Sequence, residues 1–341
     1  MVTTRRLLLL GVCFAFSAFG LIWFFKGTHW AELGGALRRG HYVYIVPALF
    51  FSLCTYAVRA YRWQILMNPI KRVRWVHLLS ATTIGFMTNC VLPARVGELV
   101  RPTVIGIKEK ISPATALTTV IVERIFDLMA IGAFVVVVLV LMPADGPVLT
   151  ALRAHHIGDP RKWGIFVAAT TVGAFAFILL VKRFPSATLN VLRTPLRMLP
   201  RALSTRLTRI LMGLIVGLES LKSVGQVLYL TALSVFHWAL IVMSDIALGW
   251  CFGLHFSFAE GSLIFVITAL AVAVPQGPGF VGVLDCAALL SLQILGVDAS
   301  TAQSYAIVLH FLAVVPVTLI GFAFLWWEGL SFRQVTEQKA A

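Results

Sequence analysis

The sequence has few charged residues, and fewer acidic than basic ones. Only 12% of its 341 residues are charged, 59% are hydrophobic, and the mean hydropathy is +0.92. Such a composition does not supply the polar surface that a soluble globular domain needs. We therefore expect an all-α polytopic membrane protein, formed as a single transmembrane domain over residues 1–341.

Cysteine is also scarce, and its positions follow no functional pattern. The five cysteines lie in apolar stretches, without the spacing of a metal site, a redox motif or a disulfide framework. No nucleotide-binding motif is present either. We expect small buried thiols, no metal and no cofactor.

Long apolar runs dominate what is present. A helix needs roughly 20 apolar residues to cross about 30 Å of hydrocarbon. The first run follows Arg5 and Arg6 and is too long for the apolar part of a typical signal peptide, so we expect a retained span. Six runs qualify as full spans, at 7–25, 43–67, 112–141, 163–181, 226–254 and 302–327.

Two further apolar segments, 75–106 and 259–295, are interrupted by proline and glycine. Lipid cannot solvate unpaired backbone groups, so a broken helix is expected only around a polar cavity. Each segment could be two short spans or one re-entrant hairpin. Both breaks carry Pro-x-x-x-Gly followed by an acid: Pro93, Gly97 and Glu98 in the first, and Pro275, Gly279 and Asp285 in the second.

The distribution of Lys and Arg favours two re-entrant helical hairpins. The chain then crosses six times with both termini inside, and 21 of the 28 basic residues face inward while six face outward. This is a strong positive-inside bias. We expect a multi-pass protein of the bacterial cytoplasmic (inner) membrane. The net charge of +14 does not indicate nucleic acid binding, because the excess is spread along the inner face.

This topology arranges the two halves as inverted repeats. The repeats cover roughly 41–141 and 224–330, and residues 142–223 link them through a basic inner loop at 182–209. The helix after each break begins near mid-membrane, so two helix N-termini with partial positive charge converge there. Such a place suits an anion.

Charged residues accumulate around the first break and in the span that follows. Each isolated charge would cost roughly 2.5 to 3.5 kcal/mol in the membrane, so partners must exist. Glu123 and Asp127 share a helix face while Arg124 points elsewhere, and we expect Arg95 or Arg101 to face the two acids. Two interpretations stay open: a purely structural ion-pair network, or an arginine left free to bind a phosphate.

Other polar residues give weaker signals. Arg59 and Arg62, at the inner end of the second span, are typical of an interfacial anchor, and they could also collect anionic headgroups. His237 is expected to be a satisfied core histidine. Asp245 and Asp285, like Asp127, are candidates for proton coupling because they are intramembrane acids.

A series of motifs along the chain resembles one known family, the lysylphosphatidylglycerol synthase transmembrane-domain family. This is the flippase-like membrane half of bacterial multiple peptide resistance factors. The resemblance covers nearly the whole chain, but Asp285 stands where the family usually has Glu, and Pro278 where it usually has Gly. The residues that carry it are Arg59, Arg62, Trp63, Pro93, Arg95, Gly97, Glu98, Arg101, Glu123, Arg124, Asp127, Pro275, Gly277, Gly279, Gly282 and Asp285.

The resemblance implies that the protein transfers a lipid between leaflets and that these motif residues bind it. A phosphate headgroup would be held by the helix N-termini and by Arg95 or Arg101, and released as the halves rock. Few residues follow the last span, so we expect no soluble aminoacyl-transferring domain and no synthesis of lysylphosphatidylglycerol.

Two alternatives remain: an intramembrane enzyme acting on a lipid-linked substrate, and an accessory scaffold of a lipid or envelope biosynthesis complex. The concentration of carboxylates favours the enzyme, but no activated nucleophile or paired-carboxylate metal motif accompanies them. We expect a transporter rather than an enzyme. The expected partners are a membrane phospholipid or a lipid of polyisoprenyl or hopanoid type, a separate biosynthetic enzyme and a second copy of the chain.

Overall fold

The computed structural model describes residues 4–93, 95–142, 160–184, 223–274, 276–332 and 334. This part of the chain is helical and contains no strand, with short 3-10 turns at Tyr42–Tyr44 and Pro278–Phe280. The helices are α1 Thr4–Phe25, α2 Trp30–Arg39, α3 Ile45–Met67, α4 Trp75–Val91, α5 Gly97–Glu109, α6 Pro113–Leu141, α7 Pro160–Arg183, α8 Val224–Cys251, α9 Phe258–Ala273, α10 Val283–Ile294 and α11 Ala299–Trp327.

Four helical segments are long and apolar enough to cross a membrane: Tyr42–Met67, α6, α8 and α11. They coincide with four of the expected spans to within three residues at each end. A fifth candidate is α1 from Gly11 onward, which bends by 87° into α2. The apolar part of α7, Ile165–Leu180, and the helices α9 and α10 are shorter. The protein is thus all-helical in its described part, with four or five membrane-span candidates.

Most of the predicted linker lies outside the described residues. Between 142 and 223, the structure describes Met142, α7, Phe184 and Ser223. The predicted basic inner loop at 182–209 is therefore outside the description from residue 185 onward, and so is Pro275 in the second break.

The two arms of the first broken segment fold back on each other. Arg101 on α5 donates from Nε to Oγ1 of Thr82 on α4 at 3.2 Å, and the Gly97 N–H donates to Oδ1 of Asn89 at 2.7 Å. A Cβ atom on Gly97 would lie 1.8 Å from the carbonyl oxygen of Gly85, so only glycine fits at the start of α5. Because the later residue of α5, Arg101, contacts the earlier residue of α4, Thr82, the two helices pack antiparallel.

The second break is held by α1. The Gly277 N–H donates to Oγ of Ser17 at 3.0 Å, and a Cβ atom on Gly282 would lie 2.4 Å from the Ser17 carbonyl oxygen. Gly279 and Gly282 have φ of +66° and +82°, a conformation that glycine adopts without strain. The Gly282 N–H donates to Oδ2 of Asp285 at 2.8 Å, and this hydrogen bond caps the N-terminus of α10.

The packing of α3 to α6 has a counterpart in α8 to α11. Helix α3 packs against α8, and α4 packs against α11 as α9 packs against α6. Within each half, α3 contacts α4 and α6 as α8 contacts α9 and α11. The second arm of each broken pair, α5 or α10, packs on the long helix that follows, α6 or α11. Helices α4 and α11 approach closely at Gly321 of α11, where a Cβ atom would lie 2.3 Å from Cβ of Met87. Contacts between α4 and the turn Pro278–Phe280 bring the two breaks together.

Candidate functional site

The charged residues predicted around the first break form one cluster, which also includes Arg59 and Arg62. The sequence predicted these two as an interfacial anchor, but they are buried in ion pairs with α6. Helix α3 contributes Arg59 and Arg62, α5 contributes Glu98 and Arg101, and Arg95 lies in the break before α5. Helix α6 supplies the three remaining members from consecutive turns. They are Glu123, Arg124 and Asp127.

Two of the arginines form short, fully buried ion pairs. Arg62 Nη1 lies 2.9 Å from Asp127 Oδ1, and Arg101 Nη2 lies 2.9 Å from Glu123 Oε2. The Arg101 guanidinium also stacks 4.1 Å from the ring centroid of Trp63. Arg62 and Arg101 are only 1% and 2% exposed. These two pairs join α3 and α5 to α6, and removing one partner would leave a buried charge uncompensated.

The other three arginines are held at longer range. Arg59 Nη1 lies 3.4 Å from Glu123 Oε1 and 3.6 Å from Asp127 Oδ2. Arg124 lies 3.3 Å from Asp127 and 3.5 Å from Glu98. Their contacts with carboxylates are therefore looser than those of the first two pairs.

Arg95 is the most loosely paired member. Its Nη2 atom lies 3.9 Å from Glu98, and its Nη1 atom donates to the carbonyl oxygen of Ala273 at 3.4 Å. Its φ of +55° is a left-handed conformation, which costs energy for any residue with a Cβ atom. The chain thus accepts backbone strain at the residue whose side chain bridges the two breaks.

A cavity of about 380 Å³ lies beside the cluster; we call the part lined by polar side chains its polar end and the part lined by apolar side chains its apolar end. Its polar end includes three of the five arginines; Arg62 and Arg101 do not line it. The apolar wall comes mainly from α6, α8 and α9. Polar lining residues are Thr55, Tyr56, Arg59, Asn89, Arg95, Arg124, Asp127, His237 and Thr268, and apolar ones include Leu128, Ile131, Trp238, Ile241, Phe265, Val272, Phe280 and Leu284.

The apolar end of the cavity reaches the outside of the helix bundle. Leu128 on α6 lines the cavity and is 67% exposed. Ile131, one turn further along the same helix, and Ile241 on α8 also line it and are partly exposed. In a membrane this flank would face hydrocarbon, so the cavity opens laterally between a charged interior and the lipid.

His237 completes the polar end. Nη2 of Arg59 lies 2.9 Å from Nε2 of His237, and an arginine can only donate, so Nε2 must be the accepting nitrogen. The ring is therefore neutral, with its proton on Nδ1. That Nδ1 atom is buried and has no hydrogen-bond partner within the described residues.

Other donors at the cavity are also unpartnered. Nε of Arg95 and Nη2 of Arg124 are buried without a hydrogen-bond partner among the described residues. Buried polar groups in proteins normally have such partners, and unsatisfied ones call for an explanation. The residues that carry these donors come from the first break, α6 and α8, and all three line the cavity.

The start of α5, by contrast, has few free donors. The Gly97 N–H donates to Oδ1 of Asn89 at 2.7 Å. The Glu98 N–H donates to the Arg95 carbonyl oxygen at 3.2 Å, and the Leu99 N–H donates to the Val96 carbonyl oxygen at 2.9 Å. An anion at the first break would therefore meet guanidinium groups rather than bare helix amides, unlike the arrangement expected from the sequence.

Gly277, Gly279 and Asp285 of the second break do not line the cavity. The two breaks do meet, because a Cβ atom on Gly279 would lie 3.5 Å from the Cys90 carbonyl oxygen. Gly277 instead contacts Ser17 of α1. Asp285 caps α10 and lies 3.0 Å from Nδ1 of His310 on α11.

Asp245 is the most isolated acid in the described structure. It is 3% exposed, and its Oδ2 atom has no hydrogen-bond partner among the described residues. The Tyr305 hydroxyl donates to its backbone carbonyl at 2.9 Å rather than to its carboxyl group.

Sequence reasoning overlooked two residues of the site. The sequence predicts a core histidine at His237 and no role for Trp238, yet both line the cavity. Trp238 donates from Nε1 to Asp127 Oδ1 at 3.2 Å, and its ring lies 5.5 Å from the Arg59 guanidinium. The adjacent His-Trp pair inside an apolar span was the available signal.

The relationship to known proteins agrees with this picture of a membrane domain built around a charged core. Residues 8–321 match the family described as "Lysylphosphatidylglycerol synthase TM region". The chain belongs to this family. The match covers every charged residue of the cluster and both breaks.

Two similar proteins bear names of different kinds. A UPF0104 membrane protein of Methanothermobacter thermautotrophicus is 22% identical over 318 residues, which cover 89% of this chain and 90% of that protein. Glycosyltransferase AglD of Haloferax volcanii is 26% identical over 302 residues, which cover 81% of this chain and 47% of that protein. The chain thus matches about half the length of AglD.

Proposed function

We propose that this protein moves an anionic, phosphate-bearing lipid between the leaflets of a membrane. The observation that carries the proposal is the cavity itself, with Arg59, Arg95 and Arg124 at one end and an apolar, laterally open wall at the other. A lipid has the same two-part character. The headgroup would lie among the arginines while the acyl or isoprenyl chain stays at the lipid-facing flank.

The charge of the cluster supports an anionic substrate. Five arginines face three carboxylates, so the described cluster carries a net charge of about +2 with His237 neutral. Uncompensated charge is costly inside a membrane, and a bound phosphate would offset it. Arginine is suited to this role because its planar fork of donors matches phosphate oxygens.

We further propose the topology that the sequence suggests: six spans, two re-entrant hairpins arranged as inverted repeats, and both termini inside. The paired packing of α3 to α6 and α8 to α11 supports it, because exchange of the two halves preserves the set of helix contacts. In such an arrangement, rocking of one half against the other would expose a central site to each leaflet in turn. The bacterial cytoplasmic membrane is the proposed location.

A second candidate function is action on a lipid-linked substrate, either by this chain or by an enzyme working with it. The observation that favours it is the name of one relative, glycosyltransferase AglD. Mass spectrometry of lipid extracts after incubation with purified protein and candidate donors would distinguish the two. A new covalent product would favour the enzyme, and unchanged lipid masses with altered leaflet distribution would favour translocation.

The direct test is leaflet transfer in proteoliposomes. Fluorescent phosphate-bearing lipids are placed in both leaflets, and a membrane-impermeant quencher reports how fast the inner pool reaches the outside. We expect the wild-type protein to accelerate transfer and Arg124→Gln to slow it, while Arg72→Gln, at an exposed position after α3, leaves it unchanged. Equal rates in empty liposomes and in wild-type proteoliposomes would reject the proposal.

A further inference from the structure

The excess charge at the cavity points to a narrower class of substrate. Arg62 and Arg101 are matched by the carboxylates 2.9 Å away, Asp127 and Glu123. The three cavity-lining arginines are then left with Glu98 as the one unassigned carboxylate of the described cluster. The cavity therefore faces about two positive charges that this cluster does not compensate.

We infer that the site selects a lipid whose headgroup is a phosphate monoester rather than a phosphodiester. The inference rests on the proposed function and adds the chemical class of its substrate. A monoester carries between about −1.5 and −2 charges at pH 7, and a diester carries one fewer ionisable oxygen. Two negative charges would neutralise the cavity, whereas one would leave a positive charge uncompensated in a low-dielectric site.

The free donors fit the same headgroup. A terminal phosphate presents three oxygens that accept strong hydrogen bonds, and a diester presents two without an ester linkage. Five buried donors of cavity-lining residues have no hydrogen-bond partner among the described residues. Nη1 of Arg59 and Nε of Arg124 lie 3.4 to 3.6 Å from carboxylates, which leaves Nε of Arg95, Nη2 of Arg124 and Nδ1 of His237. Because His237 donates as a neutral ring, it adds a hydrogen bond without adding charge.

The size of the cavity also favours a compact headgroup. Its volume of about 380 Å³ is at the small end of the range of about 300 to 1,000 Å³ for pockets that hold whole ligands. The arginines already line one end of that space, so a phosphate alone uses the polar part. A headgroup with glycerol, sugar or aminoacyl substituents would extend into the apolar part.

Equilibrium binding to the purified protein in detergent tests this inference. The probes are phosphatidic acid and phosphatidylglycerol with identical acyl chains, and inorganic phosphate. We expect phosphatidic acid to bind about tenfold tighter than phosphatidylglycerol, the ratio that one additional well-placed charge can supply. Inorganic phosphate at equal concentration should not displace phosphatidic acid, because it lacks the chain that fills the apolar wall.

Charge variants sharpen the test. Arg95→Gln should weaken phosphatidic acid binding about tenfold and leave phosphatidylglycerol binding nearly unchanged. The ratio of the two affinities should therefore fall toward one. Glu98→Gln should not weaken phosphatidic acid binding, since it makes the cavity more positive. Arg95→Lys preserves the charge and should retain the preference for the monoester, and exposed Arg72→Gln is the matched control.

The opposite results would overturn the inference. Equal or tighter binding of phosphatidylglycerol to the wild-type protein, or an unaltered preference in folded Arg95→Gln, would remove the monoester assignment. Displacement by inorganic phosphate would assign the site to a soluble ion. Transport of diester lipids without a monoester preference would refute this inference alone, whereas tight monoester binding without any transport would refute the proposed function alone.

Discussion

Arg59 on α3 donates a hydrogen bond to Nε2 of His237 on α8 across 2.9 Å, and this contact fixes the histidine as a neutral donor through Nδ1. The two residues are 178 positions apart in the chain. They connect the two halves of the molecule at the polar end of the cavity. His237 thus accepts a hydrogen bond from the ion-pair cluster through Nε2 and has Nδ1 free to donate to a ligand.

His237→Gln should preserve function, whereas His237→Phe should impair it. A glutamine can accept from Arg59 through its carbonyl oxygen and still donate through its amide, but phenylalanine can do neither. We expect transfer rates in proteoliposomes to fall about tenfold for the phenylalanine variant, the loss of one charge-assisted contact. His255→Phe, at an exposed position, is the control. Equal rates for the Gln and Phe variants would argue against a donor role.

Arg101 and Arg95 should differ in their effect on stability. Arg101 is buried in a 2.9 Å ion pair with Glu123, so Arg101→Gln should lower the free energy of unfolding in detergent by about 3 kcal/mol. Arg95 is partly exposed and loosely paired, and Arg95→Gln should lower it by less than about 1 kcal/mol. Denaturant titration followed by tryptophan fluorescence measures both. Similar losses of unfolding free energy for the two variants would contradict a structural role for Arg101 and a binding role for Arg95.

Gly97→Ala should disrupt the first broken segment. The added Cβ atom would lie 1.8 Å from the backbone oxygen of Gly85, and a backbone atom cannot move aside as a flexible side chain can. We expect a loss of about 3 kcal/mol in the free energy of unfolding. Gly173→Ala on α7 is the matched control, since its Cβ atom would meet nothing within 4 Å. A fully stable Gly97→Ala protein would contradict the close packing of α4 and α5.

Glu109, at the end of α5 outside the span candidates, should make stability depend on acid. Burial acts to raise the pKa of this carboxyl group, but hydrogen bonds from His77 and Lys71 outweigh it and hold the pKa below its ordinary value of 4.5. A lowered folded-state pKa stabilises the protein above the ordinary pKa, and this stabilisation is lost as the pH falls through the lowered value.

The stability difference between wild type and Glu109→Gln should therefore be present at neutral pH and shrink as the pH falls below 4.5. Thermal unfolding in detergent at several pH values measures it. Glu260→Gln, which removes the N3 carboxylate of the α9 capping box, provides a comparison at another helix. A difference that grows on acidification would contradict the sign of the shift.

The helices and the breaks were largely predictable from the sequence. The broken segment predicted at 75–106 begins with α4 at Trp75 and is interrupted after Val91, because the Pro-x-x-x-Gly pattern ends the apolar run there. Pairing of Glu123 and Asp127 with arginines was also predictable, since isolated charges in apolar helices must find partners. That Arg59 and Arg62 belong to the same cluster was not predicted.

Which arginines pair tightly with carboxylates and which line the cavity was not predictable from the sequence. Arg95 and Arg101 were equally good candidates to face the two acids, and the distinction depends on how α3 and α5 pack on α6. Only that packing places Arg101 behind the cavity wall, against Trp63, and Arg95 at its edge. The contact of Ser17 with the second break likewise depends on the position of α1, for which no sequence pattern gave a signal.

The most direct test of the account is a cryo-electron microscopy structure in nanodiscs that contain phosphatidic acid. We predict phosphate density within about 3 Å of the guanidinium groups of Arg95 and Arg124, with chain density leaving past Leu128. A cavity without lipid density, combined with ordered phosphatidic acid bound elsewhere on the protein, would contradict the claim that these arginines hold a lipid headgroup.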